Sequence, residues 1–271
     1  MCTDKSMDIL PECSSVSRRK MITKKEILDA IHGKMIISCQ AVEDEPLYVE
    51  EKSIMYLMAR AAKQAGTPAI RTSSIRDVIA IKEETGLPVI GLVKIQYPGY
   101  EGYITPTMKE VDDLVAAGSD VVALDCTLRK RGDGITVNEF IAQIKEKYPD
   151  IILMADISNY EEGINAWKCG VDIVGTTMSG YTDYTSKKDE PDYELMERLA
   201  KDTDIPVIGE GKIHYPDQAV KALQTGVWAI VVGGAITRPL EIAQRFQKAI
   251  EAVNKMRTKK DVSELHILFL L

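Results

Sequence analysis

The stretch IPVIGEGKIHYPDQAVKALQTGVWAIVVGGAITRP, residues 205–239, holds two short apolar runs that each end in glycine and are each followed by a helical pattern. Val207 and Ile208 lead into Gly209, Glu210, Gly211 and Lys212; Ile230, Val231 and Val232 lead into Gly233 and Gly234, with a helix opening near Thr237, Arg238 and Pro239. Glycine lets backbone N–H groups approach a ligand closely, and a helix N-terminus adds unsatisfied donors and a positive dipole end. One such loop alone is an ordinary glycine-rich turn. Two of them separated by one helix is how the last two units of a (β/α)8 barrel hold a phosphate, and here Glu210 and Lys212 add charge to the first.

Working outward, the same alternation of a β-branched apolar run and an amphipathic helical stretch repeats from Lys34 onward, the pattern of parallel βαβ units. Strands are expected at MIISCQ (35–40), PAIRT (68–72), PVIGLVK (88–94), VVALD (121–125), IILMAD (151–156), IVGTT (173–177), PVIGEG (206–211) and AIVVGG (229–234). Helices follow at about 53–65, 74–85, 107–117, 136–147, 159–169, 192–202, 216–225 and 239–256, and Gly66, Gly86, Gly118, Gly170 and Gly226 fall where helices stop. The fold class is therefore α/β, a single eight-stranded parallel TIM barrel over residues 22–256. A short helix in KKEILDAIH (24–32) is expected to cover its floor. Residues 1–21 read as a polar, disordered extension, and the tail 257–271, ending in the apolar HILFLL, has no assigned structure.

Composition narrows the function. With 271 residues, 45% hydrophobic and 28% charged, the chain has the make-up of a soluble globular protein. A net charge of −7 argues against a nucleic-acid partner, so any phosphate is bound locally. No run of 18 apolar residues is present to span a membrane. Five scattered cysteines without CxxC spacing suit a reducing cytoplasm, and three isolated histidines give no metal-ligand spacing.

Seven polar residues, Gln40, Arg71, Lys94, Asp125, Asp156, Thr177 and Glu210, lie at or near the C-terminal strand ends, the face on which barrel active sites are built. Lys94 follows an apolar GLV run, which favours desolvation and a lowered amine pKa, as a proton-transferring or Schiff-base lysine requires. A structural ion pair of Lys94 with Asp125 or Asp156 is the competing reading.

At these residues the sequence resembles the N-acetylmannosamine-6-phosphate 2-epimerase family. The strings ISCQA (37–41), DEPL (44–47), YITPTMKEVDDL (103–114), ALDCT (123–127), MADIS (154–158), GTTMSGYT (175–182), GEGKI (209–213) and VVGGAITRP (231–239) carry the likeness, which runs from Lys34 to about Lys248. It implies an isomerase that needs no cofactor or metal and interconverts two phosphorylated amino sugars, N-acetylmannosamine 6-phosphate and N-acetylglucosamine 6-phosphate, in sialic acid breakdown. It also implies catalytic roles for Lys94 and Glu210, sugar contacts by Gln40, Arg71 and Asp156 with Thr177 nearby, and phosphate contacts by Gly211, Gly233, Gly234 and Arg238 with Lys212 beside them. Two departures stand out: Ile95 replaces a basic residue usual after the lysine, and Tyr48 follows DEPL where histidine is common. A Schiff-base phosphosugar aldolase or synthase, and a non-catalytic phosphosugar-binding barrel, use the same features and remain open. Family members often form dimers, and Phe246, Ala249, Ile250 and Val253 on one face of the last helix would pack on this barrel or on a homodimer partner.

Overall fold

The computed structural model describes residues 22–187 and 189–258. Eight parallel strands close a barrel in sequence order: β1 (Met35–Cys39), β2 (Ile70–Ser73), β3 (Val89–Leu92), β4 (Val121–Asp125), β5 (Ile152–Asp156), β6 (Ile173–Gly175), β7 (Val207–Glu210) and β8 (Ala229–Val232). The helices are α1 (Lys24–Ile31), α2 (Met55–Gln64), α3 (Ile75–Thr85), α4 (Met108–Ala116), α5 (Val137–Lys147), α6 (Tyr160–Lys168), α7 (Tyr193–Asp202), α8 (Pro216–Gln224) and α9 (Pro239–Thr258). All five glycines expected to end helices have positive φ. The proposed extension 1–21 lies outside the described residues, as does the tail beyond Thr258.

The side-chain period of two along a strand sorts these sequences into two cores. Ile37, Ile70, Val122, Leu124, Leu153, Ala155, Val174 and Val207 pack toward the helices, whereas Ile36, Ile90, Val121, Ile152, Ile173 and Ile208 fill the barrel interior. Continuing the inward register toward the C-terminal rim places Gln40, Arg71, Lys94, Asp156, Thr177 and Glu210 on the same side as the interior residues. α1 plugs the opposite end: Ile27 and Ile31 join the interior cluster, and the Trp228 indole donates to the carbonyl of Leu28 at 2.9 Å. Its N-terminus is fixed by a capping box between Thr23 and Glu26.

Two features differ from the sequence expectation. β3 stops at Leu92 and β6 at Gly175, so Lys94 and Thr177 sit two residues past their strands, because the chain turns into loop hydrogen bonding there. More consequentially, α9 is thinly covered: no residue from Pro239 to Lys255 is fully buried, Ile242 and Val253 are half-buried, and Leu240, Phe246 and Ile250 are exposed. The helix has an apolar face but lays little of it on its own barrel.

Candidate active site

Lys94 is positioned by a hairpin that the strand pattern does not announce. Residues 93–95 pair antiparallel with 103–105: Thr105 N–H donates to Val93 O at 2.7 Å, Ile95 N–H donates to Tyr103 O at 2.9 Å, and Lys94 bridges Ile104. The hairpin is tied to β4, since Asp125 N–H donates to Ile104 O at 2.9 Å and the Thr105 hydroxyl to Ala123 O at 2.6 Å. Thr105 itself holds φ 46°, an unfavourable backbone for a β-branched residue, kept by this surrounding network.

Neither acid of the competing ion-pair reading holds Lys94. Asp125 is bound by Arg129 at 2.6 Å and Asp156 by Arg71 at 2.7 Å. Burial pushes the Lys94 amine down to about 8, helped by the positive fields of Arg238 and Arg71 and opposed by Glu210 and Glu45.

Across the mouth, the carboxylates form a closed network. Arg71 is 1% exposed; besides its Nη2 contact with Asp156, its Nε lies 3.4 Å from Glu210 Oε1, within ion-pair range but without a hydrogen bond. Thr177 Oγ1 stands 2.6 Å from Asp156 Oδ1 and 3.1 Å from Glu210 Oε2. A hydroxyl carries one hydrogen, so it donates to one carboxylate and meets the other as an acceptor only if that carboxyl is protonated. Burial raises both carboxyl pKa values, with Arg71 pulling the other way. Asp156 takes the direct Arg71 hydrogen bond, which leaves Glu210 as the carboxyl better placed to hold a proton.

The two glycine loops expected to hold an anion line the same cavity. Gly211 and Lys212 both have positive φ (106° and 59°), which is unusual for the lysine. The Thr237 hydroxyl donates to Ser38 O at 2.7 Å, fastening the start of α9 against β1. Arg238, however, already holds two carboxylates, Glu45 at 2.9 Å and Glu241 at 2.8 Å. Glu241 also reaches back over Gly234, where its Oε2 would lie 2.2 Å from a Cβ.

One cavity of about 270 Å3 gathers ten of the eleven proposed site residues: Gln40, Arg71, Lys94, Thr177, Glu210, Gly211, Lys212, Gly233, Gly234 and Arg238. Asp156, fully buried, lies behind Arg71 and Thr177 and is not part of the wall. Gln40 donates to Ser38 at 2.8 Å, and its own buried carbonyl oxygen has no partner. Sequence reasoning passed over Ser38, Tyr103, Tyr181, His214 and Glu241, which also line it. Inward register from β1 would have found Ser38; the others sit in loops or on a helix, where no period points inward. Among the described residues no group of three or more His, Cys, Asp or Glu is placed to hold a metal ion, and no helix is long and apolar enough to cross a membrane.

Fold and cavity together define a (β/α)8-barrel protein with a lysine and a carboxyl group facing one polar chamber beside paired glycine loops. A family model described as "Putative N-acetylmannosamine-6-phosphate epimerase" matches residues 55–252. Relatives named "Putative N-acetylmannosamine-6-phosphate 2-epimerase" include one from Caldanaerobacter subterraneus subsp. tengcongensis, 52% identical over 82% of this chain and 92% of its own. One from Clostridioides difficile is 50% identical over 83% of this chain and 99% of its own. The solved N-acetylmannosamine-6-phosphate 2-epimerase of Clostridium perfringens superposes with a TM-score of 0.78 at 47% identity, covering 87% of this chain and 99% of that one. The chain belongs to the N-acetylmannosamine-6-phosphate 2-epimerase family.

Proposed function

We propose that this protein epimerises N-acetylmannosamine 6-phosphate and N-acetylglucosamine 6-phosphate at C2, as an isomerase in sialic acid breakdown. The observation that carries the reading is the placement of Lys94 after β3 and Glu210 on β7, four strands apart around an eight-stranded barrel, on the walls of one cavity. Once the sugar ring opens, the C1 aldehyde acidifies the C2 hydrogen. The Lys94 amine, neutral in substantial fraction near pH 8, removes it. Charge then gathers on O1, where the Arg71 guanidinium stabilises it. The proton returns to the opposite face, and the Glu210 carboxyl, with its raised pKa, stands on that side. The amides of Gly211, Lys212, Gly233 and Gly234, with Arg238, hold the phosphate at the far end, so that binding energy orients C2. The substrate's own carbonyl supplies the activation, so the step needs no cofactor.

Proton NMR in D2O tests this: N-acetylmannosamine 6-phosphate should gain deuterium at C2 while the gluco epimer accumulates, and absence of both refutes the reading. Exchange without epimerisation in Glu210→Gln supports two opposed groups; unimpaired epimerisation there would leave Lys94 serving both faces. Borohydride with substrate should trap no adduct, and a Lys94 adduct would instead indicate Schiff-base chemistry.

The same proposal includes a cytoplasmic homodimer. A helix that leaves Leu240, Phe246 and Ile250 exposed calls for a cover. A second copy offers one, because Leu57 on α2 and Val220 on α8, the helices packed on neighbouring β1 and β8, are likewise exposed. Light scattering should give a dimer for the native chain and a monomer for Phe246→Asp. A cytoplasmic setting suits Cys39, Cys126 and Cys169, all free thiols.

A further inference from the structure

His214 lines the cavity from the loop after β7, just beyond Lys212, and no step proposed above uses it. Its main chain is fixed where α8 begins, since its own N–H donates to Gln218 Oε1 at 2.7 Å. Its ring is held by Arg245, from the second turn of α9. Nη1 of Arg245 stands 3.3 Å from His214 Nδ1, and Nη2 donates to the Gly234 carbonyl at 3.1 Å. One guanidinium therefore joins the loop after β7 to the loop after β8, the two glycine loops proposed to hold the phosphate.

That contact fixes the imidazole tautomer. A guanidinium has donors and no acceptor, so Nδ1 must accept, and the ring hydrogen then belongs on Nε2. A doubly protonated ring would turn a second donor toward Arg245. Burial and the positive field of Arg245 hold the His214 pKa below its ordinary value, with Lys212 adding to them and Glu241 and Asp189 opposing. The ring is therefore neutral near pH 7, and its one N–H, on Nε2, has no acceptor among the described residues.

A carboxylate already marks the place that donor serves. Glu241 reaches over Gly234 on the same cavity wall, and its negative charge is felt at His214. We infer that His214 is a further anion-binding residue, donating from Nε2 to the phosphate of the sugar, and that Arg245 is the positioning residue that sets its tautomer and aims it. The inference rests on the phosphate site proposed above and adds to it a neutral side-chain donor with its support. Arg238 is shared between Glu45 and Glu241, so a donor that no carboxylate has claimed complements it.

Nuclear magnetic resonance of protein labelled with 15N-histidine tests both halves. The chain has three histidines, and the His214 signals are those lost in His214→Gln. In the native protein at neutral pH, Nε2 should carry the hydrogen and Nδ1 should not, and Arg245→Met should give a mixture of tautomers. Inorganic phosphate should shift the Nε2–H proton downfield, a change on the native ring that a purely structural histidine would not show. His214→Phe should raise both KM for N-acetylmannosamine 6-phosphate and the inhibition constant of inorganic phosphate about 10- to 100-fold, with kcat nearly unchanged. His214→Gln, which keeps an N–H at similar reach, should restore most of that loss. Phosphate that moves the Gly233 and Gly234 amides but not the His214 ring overturns the inference and leaves the anion site standing. An unaltered KM in His214→Phe overturns it too, and a protonated Nδ1 in the native protein overturns the role of Arg245. If phosphate moves neither ring nor amides, the anion site and the inference fall together, while C2 exchange in D2O judges the epimerase reading separately.

Discussion

Two sides of one cavity treat charge in opposite ways. On the β2–β5–β7 side, a fully buried guanidinium is bracketed by Asp156 and Glu210, with Thr177 linking the two acids. On the β3 side, Lys94 is held by a backbone hairpin, and burial lowers its amine to about 8. The first arrangement fixes geometry at the cost of leaving no charge to spare. The second leaves an amine able to release its proton. A buried ion network has structural weight because removing one partner strands another, whereas an unpaired lysine contributes mainly chemistry.

This contrast makes separable predictions. Lys94→Ala should lower kcat about 10²- to 10⁴-fold with little change in thermal stability, and Lys94→Arg should fail equally because a guanidinium does not deprotonate; near-native turnover in either would break the contrast. Arg71→Met should differ in costing roughly 3–5 kcal/mol of folding stability in denaturant titration, because Asp156 is left buried without its cation, on top of a fall in kcat from the lost cation at O1. The pH profile sharpens the Lys94 half. The neutral amine is the active form, so kcat/KM should climb about tenfold per pH unit below the lysine's pKa of about 8 and level off above it. Arg238→Met removes a neighbour that lowers this pKa and should move the limb to higher pH; Glu45→Gln removes one that raises it and should move the limb to lower pH. The smallest effect is expected at the anion end. Glu241 occupies Arg238 and overhangs Gly234, so Glu241→Gln should lower KM for the phosphorylated sugar about two- to fivefold.

Much of this was legible in the chain because two periods carried it. The strand period of two turned Gln40, Arg71 and Glu210 inward, and glycine pairs at 209/211 and 233/234 marked the two loops proposed to hold the anion. The hairpin at Lys94 was not legible: its partners lie ten residues apart, joined by a loop containing Pro98, Gly99 and Gly102 whose pairing no local pattern encodes. The depth of Asp156 was not legible either: alternation gives a side chain's direction but not how far back it sits, and Arg71 and Thr177 both bond it in the structure. α9 has helical apolar spacing, yet spacing says only that a face seeks cover, not whose surface provides it. Glu241 read as an ordinary first-turn carboxylate because its reach toward Gly234 depends on how the loop after β8 folds back.

The plug that α1 drives into the bottom of the barrel has a kinetic consequence. With Ile27 and Ile31 stoppering one end, the chamber is a cul-de-sac, so on the proposed reaction both epimers would use the same doorway. Forward and reverse traffic then compete for one berth, so each sugar phosphate should inhibit conversion of the other with a constant close to its own KM.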